Sequence, residues 1–328
     1  MRRREFIKLI GGAAAGWPRA ALAQQTATPV IGYLQSGIAH LSERQVAAFR
    51  KGLSDAGYVE GRNVRIEYRF AEGRQERLPA MAAELVRHRV ALIVAVGGAH
   101  PALAAKAAST TIPIVFASGD TDPIQAGLVV SFSRPGGNLT GVSGLFGNLA
   151  AKRIGLLHEL IPTASAIGML ANPNTVSVAT QIAEAQKAAQ IKGLNLEVFH
   201  ASVDRDFELA FGAMAKRRID GLLVSADAFY GSHRQQIIAL AERHAIPASH
   251  YRREFVEEGG LMSYATPLPE VYRQVGLYAG RILGGAQTTD LPVVQPTRFE
   301  LVINRKTAKS LGLEISSNLL AITDEVIE

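Results

Sequence analysis

Arg87-His88-Arg89-Val90-Ala91-Leu92-Ile93-Val94-Ala95 runs from a basic helix end into an unbroken apolar stretch, and Lys216-Arg217-Arg218-Ile219-Asp220-Gly221-Leu222-Leu223-Val224 repeats it in type. A basic helix end followed by a short strand that is apolar on both faces belongs to a parallel sheet covered by helices. Upstream, Val30 to Leu34 reads as a strand, Ser42 to Ala56 as a helix N-capped by Ser42, Val64 to Tyr68 as an alternating strand and Gln75 to Arg87 as a helix. Ala91 to Val96, Ile112 to Phe116 and Leu128 to Phe132 follow as strands, and Asn138 to Val142 leads out after the turn Arg134-Pro135-Gly136-Gly137. In the second half Ile167-Gly168-Met169-Leu170 echoes Ile31-Gly32-Tyr33-Leu34, and Gly193 to Val198 echoes Gly57 to Ile66. The reading is α/β, two Rossmann-like lobes with parallel sheets and like topology; the alternative is one large doubly wound sheet.

The composition is that of a globular protein: 328 residues, 48% hydrophobic, 20% charged. The absence of Cys excludes thiol nucleophiles, Cys-ligated zinc and iron–sulfur clusters. The net charge of +6 suggests nucleic acid only until it is divided along the chain. Five of the 35 bases (Arg2, Arg3, Arg4, Lys8, Arg19) and one of the 29 acids (Glu5) lie in the first 23 residues, which leaves 30 against 28. No nucleic-acid partner is expected from that balance.

Arg2 to Lys8 is a basic region, Leu9 to Trp17 an apolar one, and Ala21-Leu22-Ala23 a small-x-small cleavage site. Residues 1–23 therefore read as an export signal cleaved after Ala23. Arg3-Arg4-Glu5-Phe6-Ile7-Lys8 resembles the twin-arginine pattern, with the general secretory route as the alternative. The apolar stretch is shorter than the roughly 20 residues that span a bilayer, and a soluble periplasmic protein is expected.

Ligands of open parallel sheets sit outside the carboxyl ends of the strands. Aligning Arg89 with Arg218 sets Gly98 opposite Asp227, on facing walls of one cleft. Gly97-Gly98-Ala99-His100-Pro101 opens a helix whose free N–H groups and dipole suit an anion, or it is only a tight turn. Ser118-Gly119-Asp120 and Gln35-Ser36-Gly37 are further polar strand ends, and Asp120 either meets a ligand or caps the following turn. Asn172 holds the place corresponding to Ser36 and either serves turn geometry or reaches a ligand. Asp227 precedes Phe229-Tyr230 and either accepts from an ammonium group or caps a helix. In Tyr251-Arg252-Arg253, Tyr251 is a cleft candidate and the arginines read as solvated.

Catalytic signals are scarce. No Gly-x-Gly-x-x-Gly follows the first strand, there is no Walker A run or Gly-x-Ser-x-Gly elbow, and the eight His do not fall at metal-ligand spacing. No catalytic residue, metal or cofactor is expected.

A family is visible in Ile112-Pro113-Ile114-Val115-Phe116, Arg134 to Gly141, Glu257-Glu258-Gly259-Gly260-Leu261-Met262-Ser263-Tyr264, Gln295 to Asn304 and Asp324 to Glu328. From Val30 onward the sequence resembles the periplasmic substrate-binding proteins of ABC transporters, in the type I branch that includes tryptophan- and tyrosine-binding members. Ala265 departs from the Gly that commonly follows Ser-Tyr there. The resemblance implies lobes of 30–142 with 261–290 and of 143–260 with 295–328, joined by a three-strand hinge. It implies a monomer that closes on a small molecule and is then recognised by an ABC permease in the inner membrane. A sensor that presents the same cleft to a membrane signalling receptor, and an exported enzyme on the same scaffold, are the alternatives. An amino-acid-like or aromatic carboxylate ligand would meet the Gly98 and Ala99 backbone and Ser36 with its carboxylate, Asp227 with its ammonium, and Tyr33, Phe116, Phe229 or Tyr251 with its apolar body. Gln35, Gly97, Ser118, Gly119, Asp120 and Asn172 complete the candidate set.

Overall fold

A computed structural model describes residues 28–144 and 149–328; the export-signal reading of 1–23 lies outside them. The first lobe runs β1 (Val30–Gln35), α1 (Glu43–Asp55), β2 (Arg65–Phe70), α2 (Leu78–Arg87), β3 (Leu92–Val96), α3 (Ala99–Ala108), β4 (Ile114–Ser118) and β5 (Leu139–Ser143). Its five strands lie in the order β2-β1-β3-β4-β5, all parallel. The second lobe begins with α4 (Ala150–Leu160), β6 (Ala166–Ala171), α5 (Val178–Ile191), β7 (Asn195–His200), α6 (Asp204–Lys216) and β8 (Gly221–Val224). It continues through α7 (Ala228–Ser232), α8 (Arg234–Arg243), β9 (Ala248–His250), α9 (Arg253–Glu257) and β10 (Met262–Ala265). After α10 (Leu268–Leu283) come β11 (Glu300–Asn304), α11 (Arg305–Ser310), α12 (Ser317–Ala321) and β12 (Glu325–Ile327). Its seven strands lie in the order β12-β11-β10-β9-β8-β6-β7, with β10 and β11 antiparallel.

The two-lobe reading is therefore correct, and the internal echo extends to backbone detail. Arg89 and Arg218 stand at equivalent helix ends with φ of +53° and +55°, a left-handed turn usually given to Gly or Asn. Each turn carries the chain from a helix directly into a buried central strand, β3 or β8.

Three sequence expectations are corrected. Leu128 to Phe132 is no strand. Leu128 and Val129 plug the lobe while Val130 faces outward, and β5 occupies the edge beside β4. Ser42 precedes α1 without capping it, because its hydroxyl donates to the Ile38 carbonyl. The return to the first lobe begins after Ala265 rather than at Leu261, since Met262–Ala265 pairs with β9 and β11 of the second sheet.

From there α10 crosses back and packs along α1 at very close range. A Cβ on Gly52 would lie 1.9 Å from the Arg273 carbonyl oxygen, and one on Gly276 would lie 2.1 Å from that of Phe49. Glycine at both places lets the helix backbones touch. The packing aims the N-terminal turn of α10, with Leu268, Val271 and Tyr272, at the gap between the lobes. Val294 bridges Val142 at the edge of the first sheet before the chain crosses a third time into β11.

Candidate ligand-binding site

The carboxyl ends of both sheets face a common cavity. Gly97, Gly98, Ser118, Gly119 and Asp120 line it from the first lobe, and Asp227, Ala228, Tyr251 and Arg252 from the second. Leu268, Val271 and Tyr272 of α10 supply an apolar side.

Two acids dominate the electrostatics. Asp120 is 8% exposed and Asp227 is 4% exposed, and among the described residues neither forms an ion pair. Asp120 accepts from the Ser118 hydroxyl at 2.9 Å and the Ala99 N–H at 3.4 Å. Burial, and then the Asp227 charge, raise its pKa above the usual carboxylate value against the pull of those donors. Asp227 accepts from Thr175 Oγ1 at 2.5 Å, from Asn172 at 3.3 Å and, as N-cap of α7, from the Tyr230 N–H at 3.2 Å. It is both a cap and a wall of the cavity. Burying two carboxylates without a cation is costly, and such a pair attracts one.

On the same second-lobe wall as Asp227, Arg252 stacks over Tyr251, 5.2 Å from the ring centroid, and forms no ion pair among the described residues. The Tyr251 hydroxyl donates to the Asp227 backbone carbonyl, and burial raises its pKa, so it stays a protonated donor. The site thus presents two anions, one cation and an apolar flank.

The lobes are closed over this cavity. From α5, the Gln181 amide donates to the carbonyls of Asp120 and Ala226, both at 3.1 Å, and accepts from the Ala226 N–H at 3.0 Å. Ser177 adds a bond to the same Asp120 carbonyl. At another point of the seam Arg44 pairs with Glu257 at 2.6 Å and Gln45 donates to Glu254 at 3.2 Å. A second cavity lies beside the first, between β1 and α1 on one lobe and α7 to α9 on the other.

A model of the family described as ABC transporter substrate binding protein matches residues 38–327. The chain belongs to this family. A tyrosine-binding protein of Clostridioides difficile is 29% identical over 268 residues, spanning 81% of this chain and 76% of the relative. A Streptococcus pneumoniae ABC domain solved in complex with L-Trp is 27% identical, with a TM-score of 0.82 over 90% of this chain and all of that one. A conserved domain protein of Vibrio cholerae is 26% identical, with a TM-score of 0.85 over 91% and 99%.

In this ABC substrate-binding protein the structure brings Gly97, Gly98, Ser118, Gly119, Asp120, Asp227 and Tyr251 to the first cavity, and Gln35, Ser36 and Gly97 to the second. Several expected contacts are not there. Tyr33 is buried in the first-lobe core against Phe49, Tyr68 and Phe70, and Phe116 lies in another part of that core. Phe229 stacks on Phe207 and packs at a tilt against His233, outside the cavity lining. Asn172 reaches the cavity only through Asp227. The Ala99 N–H faces Asp120, so the α3 end already holds a carboxylate and repels a second one. Ser36 spends its proton on the Gly97 carbonyl. Arg252, read as solvated, is the cleft's cation; Tyr272, Leu268, Val271 and Gln181 carried no local sequence signal.

Proposed function

We propose that this substrate-binding protein is an exported receptor for an amino acid with an apolar or aromatic side chain, delivered to an ABC permease when the lobes close. In this reading the ligand ammonium sits between Asp120 and Asp227, its carboxyl end meets Arg252, and its side chain lies against Leu268, Val271, Tyr272 and Tyr251. The observation that carries it is the unpaired acid pair contributed by opposite lobes. Closure without a ligand brings two buried carboxylates together, whereas closure on an ammonium exchanges that repulsion for charge-assisted hydrogen bonds. The tyrosine-binding and L-Trp-complexed relatives support the ligand class.

Residues 1–23 act as the export signal, the mature protein works as a periplasmic monomer, and no chemistry on the ligand is required. Selectivity follows from buried polar groups that the wrong ligand leaves unpaired. The test is thermal unfolding against a panel of amino acids, their deaminated analogues and sugars. A ligand at 100 times its dissociation constant that binds only the folded state adds about 2.7 kcal/mol. A shift confined to amino acids supports the proposal, and a shift with sugars alone refutes it.

A further inference from the structure

The second cavity shares Gly97, Ala228, Arg252 and Tyr272 with the first, so the two are chambers of one cleft. Three of the residues that line it each carry a buried polar atom with no protein partner: Gln35 Oε1, Gln45 Oε1 and Arg252 Nε. Gln35 and Gln45 are 5% and 6% exposed. The orientation of both amides is fixed by what they touch. Gln35 Nε2 donates at 2.6 Å to Ser42 Oγ, whose own proton goes to the Ile38 carbonyl, so the Gln35 oxygen cannot take that place. Gln45 Nε2 faces a carboxylate oxygen of Glu254 at 3.2 Å, where an amide oxygen would be repelled. Two acceptors therefore stand unpaired on the first lobe, with one donor on the second. A buried acceptor left without a partner is unfavourable, and a ligand that supplies the donor recovers that loss.

We infer that the second chamber is a subsite for an amide that extends the ligand's carboxyl end, so that the cleft accepts dipeptide-sized amino-acid derivatives in preference to free amino acids. This deepens the amino-acid reading above and rests on it. The single amide N–H is shared between the two glutamine acceptors as a three-centre bond, and the amide carbonyl answers the Arg252 N–H. A free amino acid fills the first chamber and leaves both glutamines unpaired.

Calorimetric titration of the purified chain with L-tyrosine and L-tyrosylglycine tests this. The dipeptide is expected to bind about tenfold more tightly, the worth of a recovered buried hydrogen bond. Gln35→Met and Gln45→Met should each bring the ratio of the two dissociation constants toward one; taking the ratio cancels any effect on closure common to both ligands. If tyrosine binds and the dipeptide binds no more tightly, the subsite is refuted and the amino-acid reading stands. A preference that survives in both variants also refutes the subsite. If neither compound binds while the chain is folded, the amino-acid reading itself falls and the subsite with it.

Discussion

Gln181 on the second lobe donates its side-chain amide to the backbone carbonyl of Asp120 on the first, at 3.1 Å. The same amide exchanges two bonds with Ala226, the neighbour of Asp227. One side chain thus fixes the backbone beside each acid of the cleft, and the bond to Asp120 forms only when the lobes are together. A ligand that binds the closed form is thereby linked to this bond.

Gln181→Leu removes that bond, leaves the Asp120 carbonyl with Ser177 alone, and takes the side-chain partner from the Ala226 N–H and carbonyl. Ligand affinity should fall about tenfold, mainly through faster dissociation, because the closed state loses a buried interlobe hydrogen bond. Stopped-flow dissociation kinetics check this.

The two acids should respond differently to substitution. Asp120→Asn is expected to weaken an ammonium-bearing ligand by about 2 kcal/mol, the worth of a hydrogen bond to a charged group, while raising the melting temperature of the ligand-free protein by removing a buried charge. Asp227→Ala should also weaken binding, but it removes the cap of α7 and should cost about 1 kcal/mol of stability. Calorimetry with thermal unfolding of each variant separates the two roles.

Two buried groups give opposite pH slopes. Burial, reinforced by the Arg153 charge, pushes His250 down from 6.5 to about 3. Its contribution to stability is complete above pH 6.5 and is lost as the pH falls toward 3, because only the unfolded chain takes up the proton in that window. Asp120 is raised above 3.8, so its ionisation opposes folding as pH rises through the raised value, and acidification relieves it. Its protonation also removes half of the ammonium site, so ligand affinity should decline on acidification before an ordinary carboxylate would titrate. His250→Asn should flatten the acid-side loss of stability, and Asp120→Asn should abolish the acid-side loss of affinity, in unfolding and binding curves measured from pH 7 to pH 4.

The helix contact that sets the cavity's apolar side is equally exposed to test. Gly276→Ala places a methyl about 2.1 Å from the Phe49 carbonyl oxygen, which α1 and α10 can relieve only by moving apart. A loss of about 3 kcal/mol in denaturant unfolding is expected, at the upper end of overpacking costs.

Much of this was legible in the sequence, because parallel sheets write themselves as apolar strands between helical patterns. Setting Gly98 and Asp227 on facing walls needed only the repeat around Arg89 and Arg218 and the rule that ligands sit at strand ends. Side-chain direction was not legible. Arg252 and Arg253 are adjacent, yet Arg253 pairs with Glu257 and Glu325 on the surface while Arg252 turns into the cleft. Tyr33 and Phe116 stand on the strands that lead to the cleft, but their rings point into the first-lobe core. Gln181 is a first-turn helix glutamine like any other until α5 is laid across the strand ends. Leu268 and Tyr272 join the cavity only because two glycines let α10 lie against α1.

The central claim is that the acid pair receives an ammonium group. Titration of the chain with L-tyrosine and with its deaminated analogue, 3-(4-hydroxyphenyl)propanoate, isolates that group with the ring and carboxylate unchanged. The account predicts saturable binding of the amino acid and none of the analogue at the same concentrations; equal binding of both, or binding of the analogue alone, would contradict it.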